Sequence, residues 1–153
     1  MNKDKVINHT GWIGLLGVVF FACELPLWFL AGNPPQISDA IGHSQFLASI
    51  RVIALTRIML DIGMFTCFMI FWAGFRRLII KTKPENEWIA TLNLVAGAIW
   101  WTASLIADGL EGAAVIDTLG GTVNPIVVRT LVEATLLIYN GSIAFIMTAL
   151  FIT

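Results

Sequence analysis

The sequence predicts an all-α integral membrane protein, an antiparallel four-transmembrane-helix bundle in which residues 1–153 form a single membrane domain. Composition is the first reason. Hydrophobic residues make up 58% of the chain and charged residues 12%, whereas a soluble domain runs near half apolar and about a quarter charged. Four apolar runs are the second: Gly11–Ala31, Val52–Phe75, Trp88–Leu110 and Ile126–Ile152. Each reaches the ~20 residues that cross ~30 Å of hydrocarbon at about 1.5 Å per residue. The third is their internal pattern. The runs are too long for barrel strands and lack period-2 alternation, and a segment in lipid must satisfy its own backbone, so they read as helices. The lipid bilayer is therefore the first expected partner.

The elements follow in order. Lys3 and Lys5 precede the first run in the manner of a signal peptide. Apolar character nevertheless continues through Trp28 to Ala31 without a good small-residue cleavage site, so a retained helix is expected. Gly32-Asn33-Pro34-Pro35 ends it, since two prolines cannot continue a helix. Ser38 is expected to cap an amphipathic helix through Ser49, separate from helix 2 or continuous with it. Lys83-Pro84-Glu85-Asn86-Glu87 is a polar turn whose acids suit the start of helix 3. Gly120-Gly121 marks a loop, and Asn124-Pro125 supplies a capping residue and a first-turn proline for helix 4.

Loop charge sets the expected orientation. Arg76, Arg77, Lys81 and Lys83 follow helix 2, while the loops 32–49 and 112–125 contain neither Lys nor Arg. The positive-inside rule then places both termini and the 76–87 loop in the cytoplasm, with a bacterial inner membrane as the expected location. The glycosylation sequon Asn8-His9-Thr10 falls on that cytoplasmic side and is discounted.

Ionisable side chains within the spans are the informative feature, because charge in hydrocarbon is costly and usually functional. Glu24, Arg57, Asp61, Asp108, Glu111, Arg129 and Glu133 all fall in the non-cytoplasmic half. Helical spacing groups them further. Asn93, Gly97, Trp100, Ser104, Asp108 and Glu111 trace one stripe of helix 3, and Arg129, Glu133, Leu136 and Asn140 one stripe of helix 4. Arg57 and Asp61 are one turn apart on helix 2, and Glu24 is the lone acid of helix 1. Polar stripes turn inward in lipid, so a polar pocket open to the non-cytoplasmic side is expected.

Five acids against two arginines leave a surplus of carboxylates that must be protonated, hydrated or paired with something positive. Glu24, Glu133 and Asp61 are the candidate acid–base groups. Arg57, Arg129, Trp100, Asp108 and Asn140 are the candidate ligand-binding residues, the arginines for an anionic or carbonyl group and Trp100 for an apolar wall. Arg57–Asp61 and Arg129–Glu133 can pair along their own helices, and either arginine can instead bridge between helices. The bland reading of both pairs is helix register, and of Glu111 a solvated helix-end acid.

Several chemistries are disfavoured. All lysines lie outside the spans, which argues against a retinal Schiff base, and His9 and His43 lie near opposite ends, which argues against bis-histidine haem. The paired Glu-x-x-His signature of di-iron bundles is missing, so no metal is expected, and no particular cofactor is indicated. Cys23 and Cys67 form no CxxC. No phosphate loop, nucleophile elbow or nucleic-acid-binding basic patch is present. The expected function is binding of a hydrophobic or amphipathic small molecule, with acid–base chemistry at the carboxylates. The alternatives are an accessory subunit of a larger membrane complex and a proton- or cation-coupled transporter acting as a homo-oligomer.

Overall fold

The computed structural model describes residues 3–119 and 124–152. The expected Gly120-Gly121 loop lies outside them. Four α-helices run in order: α1 (Lys3–Ala31), α2 (Ala40–Thr82), α3 (Glu87–Asp117) and α4 (Pro125–Ile152), with a 3-10 turn at Pro84–Asn86. No strand occurs among the described residues. Three helical segments there are long and apolar enough to cross a membrane: Ile7–Ala31, Ala40–Thr82 and Pro84–Asp117. These suit a helical membrane bundle.

Most of the expected ends hold, and the cap of α2 differs. Of the two forms expected for the segment through Ser49, the continuous one holds: it and helix 2 are one rod of 43 residues. At 1.5 Å per residue it is about 64 Å long, roughly twice the hydrocarbon thickness. Its cap is Asp39 rather than Ser38: the Asp39 carboxylate accepts a hydrogen bond from the Gly42 amide at 2.8 Å. A carboxylate at that position both satisfies a free amide and meets the positive end of the helix dipole. Gly32, just beyond α1, takes a left-handed backbone with φ of 75°, a conformation that Gly adopts without steric cost at a helix C-terminus. The Asn124-Pro125 start holds, with the Asn124 side chain accepting from the Ile126 amide at 3.1 Å. At the far end Arg76 donates to Thr91 (2.9 Å) and Glu87 (3.2 Å), pinning α2 to α3 across the turn.

Packing is asymmetric. Helix α2 contacts all three others, whereas α1 approaches α2 alone; its Cα trace comes within 8 Å of neither α3 nor α4. Among the described side chains of α1, Thr10, Gly17 and Glu24 are the buried ones, seven apart, as an inclined antiparallel helix pair requires. The α1–α2 seam sets rings over glycines, with Phe71 against Gly14, Phe68 against Gly17 and Phe20 against Gly63. Two apolar clusters fill the interior. One joins Leu47, Ile50, Ala54, Ala114, Val115 and Val128; the other joins Met64, Phe65 and Trp101. The polar residues lie between and beside them.

Candidate functional site

Arg57 organises the site. It is 7% exposed, and its guanidinium reaches two other helices. Nε lies 3.5 Å from Glu24 Oε1 of α1, and an Nη lies 3.8 Å from Glu111 Oε1 of α3. The first contact is an ion pair without hydrogen-bond geometry. Trp28 completes the clamp. Its indole N–H donates to Glu24 at 2.7 Å, and its ring lies 3.4 Å from the guanidinium carbon. One residue four positions along α1 therefore orients the acid and stacks on the base, a favourable cation–π geometry.

Around this clamp the remaining acids gather. Asp61, one turn along α2 from Arg57, lies within electrostatic reach of Glu24, Asp108 and Arg57. Asp108 is 2% exposed; one carboxyl oxygen accepts from the Tyr139 hydroxyl of α4 and the other has no partner among the described residues. Glu111 belongs here because α3 continues to Asp117, so it sits well inside the helix rather than at its end. Thr135 links α4 to α3 through the Ala107 carbonyl (3.2 Å), its one hydroxyl proton shared with the Leu131 carbonyl of its own helix (3.0 Å).

Beside the cluster lies a cavity of about 190 Å³. Phe46, Leu47, Ile50, Val132 and Leu136 make its apolar wall, with Arg57, Glu111, Thr135 and Tyr139 at one end. His43, Gly32 and Pro34 line the other.

Several expected site residues lie elsewhere. Arg129 and Glu133 pair with each other at 2.7 Å along α4, their side chains 42% and 38% exposed, and neither lines the cavity. Asn140 is exposed on the same side of α4. Helix α4 instead turns Val128, Thr135 and Ser142 inward, each buried. These small or β-branched side chains permit close approach to Ala107 and Ala114 of α3, and that packing overrides the inward preference of a polar stripe. Trp100 packs edge-on to Phe65 (6.3 Å) and stacks near Trp101 (6.5 Å) in the second apolar cluster, away from the cavity.

Tyr139 and His43 are site residues that sequence reasoning passed over; Trp28, four residues after Glu24, falls by spacing on the Glu24 face of helix 1. Trp28 resembles an interfacial anchor, and His43 precedes the expected span. A signal for Tyr139 existed: it is the only tyrosine in the chain, set within an apolar run. Among the described residues no group of three or more His, Cys, Asp or Glu is arranged to hold a metal ion. Chemically, the arrangement offers buried carboxylates, one shared guanidinium, a phenol and an adjoining apolar space. No protein-family model, curated protein or solved structure matches the chain.

Proposed function

We propose that this chain is a four-span protein of a bacterial inner membrane, both termini cytoplasmic, that binds a lipid-soluble or amphipathic small molecule in the cavity beside Arg57. Helix α4, 28 residues long, serves as the fourth span at about 42 Å. The carrying observation is the joining of an apolar space to a buried polar end, with Arg57, Glu111 and Tyr139 on its wall. Binding sites for small molecules are typically of this kind: mostly apolar, with a few placed polar groups. Glu24 and Asp61, held round Arg57, are the groups we assign to any proton exchange. Glu133 and Arg129 have no part in it on this reading.

The test compares wild type with Leu136→Trp, a bulky change on the cavity wall, after purification in discs of native membrane. Organic extracts of both are compared by mass spectrometry. A small molecule enriched with wild type and depleted with the variant is expected. Identical extracts would contradict the reading.

One observation favours a second reading, an accessory subunit or homo-oligomer. Arg129, Glu133 and Asn140 share an outward face of α4. Polar side chains directed at hydrocarbon are costly, and a partner helix over that face would relieve the cost.

A further inference from the structure

Charge on the cavity wall decides what kind of molecule suits it. Four carboxylates, those of Glu24, Asp61, Asp108 and Glu111, crowd the guanidinium of Arg57. That guanidinium is already shared between Glu24 and Glu111 and stacked on Trp28. It therefore has little left for an anionic head, which would also meet Glu111 on the same wall. A cation placed there would find Glu111 beside it and the aromatic surfaces of Trp28 and Tyr139.

The wall is also built to receive polar atoms. His43, a lining residue whose side chain is more than nine-tenths buried, has an Nδ1 with no hydrogen-bond partner among the described residues. Leaving such a group unsatisfied costs about 1–3 kcal/mol, so a wall carrying it suits an occupant that can engage it. Access is lateral. Trp28 of α1 and Leu136 of α4 both line the cavity and are 54% and 47% exposed. Their helices do not approach each other, so the cavity faces the hydrocarbon between them.

We infer that the occupant is a lipophilic cation, a protonated amine or quaternary ammonium on an aromatic or alkyl body, which enters from the bilayer between α1 and α4 and sets its positive group beside Glu111. The inference rests on the reading of the cavity as a binding site and names the ligand class of that site.

Three matched probes test it on the full chain in nanodiscs at neutral pH: 4-phenylbutylamine, 4-phenylbutyrate and 4-phenylbutanol share a body and differ in charge. Saturable binding of the amine, at least about tenfold tighter than of the butyrate, is expected by calorimetry. Glu111→Gln should weaken amine binding about tenfold and leave butanol binding unchanged. Leu136→Trp, at the exposed rim, should abolish amine binding without lowering the unfolding temperature.

Equal or tighter butyrate binding would overturn the inference, as would amine binding indifferent to Glu111→Gln, or no saturable binding of any probe. Butyrate binding as tight as amine binding, and lost in Leu136→Trp, would overturn the cationic class alone and leave the cavity reading standing. The comparison of membrane extracts is what contradicts the cavity reading itself.

Discussion

At the scale of single residues, Arg57 does most to hold the site together, because it is the one base among three buried acids and the partly buried Glu111, drawn from three helices. Removing it leaves Glu24 and Glu111 without their counter-charge in a water-poor setting. Breaking a buried pair in this way typically costs about 3–5 kcal/mol, more than the pair itself contributes. Arg57→Ala should accordingly unfold at a clearly lower temperature in detergent. An unchanged unfolding temperature would mean that the acids reach other partners or water. The sequence made Glu24, Arg57, Asp61 and Asp108 legible, because ionisable side chains in apolar runs stand out by type alone. It left Arg57 equally free to pair along α2 or across helices, since spacing fixes a face but not a rotamer. Trp28 was legible as an aromatic near a helix end. Its double contact depends on where α2 lies against α1, which no local signal carries.

At the scale of elements, the α1–α2 seam shows how glycine sets interhelical distance. A Cβ placed on Gly17 would meet Phe68 at 2.9 Å, closer than real side chains tolerate. Gly17→Leu should overpack the seam by about 1–3 kcal/mol. Because the closest clash is with the Phe68 ring, with Cys67 Cβ next at 3.3 Å, Phe68→Ala in the same chain should restore part of the loss, read by thermal unfolding of the two variants. Failure of that rescue would place the strain elsewhere in the seam. Helix existence was legible from run length and turn residues, and Asn124-Pro125 marked the start of α4 to the residue. Helix extents were less so. The fusion of the 40–51 segment into α2 and the continuation of α3 to Asp117 follow from packing and capping beyond the apolar runs. The rotation of α4 was the least legible, because its polar stripe and its small-residue stripe compete for the interior, and close contact with Ala107 and Ala114 decides between them.

At the scale of the whole molecule, α2 is the hub on which α1 packs alone while α3 and α4 pack together. This open arrangement gives the cavity its lateral mouth, and it leaves the Arg129–Glu133–Asn140 face of α4 outward. The face gives the accessory or oligomeric reading a direct test. With the exposed Cys23 replaced by serine and the buried Cys67 retained, Asn140→Cys should form a cross-linked adduct in intact membranes under mild oxidation if a second copy covers α4. A monomeric band alone would rule out a homo-oligomer across that face.

The central claim is that the space beside Arg57 holds a small molecule, and native mass spectrometry of the protein released gently from its own membrane tests it most directly. The account expects a stoichiometric small-molecule adduct on the intact chain, reduced in Leu136→Trp. A chain of bare mass, or one carrying only a stoichiometric protein partner, would contradict it and leave the acidic cluster as structure.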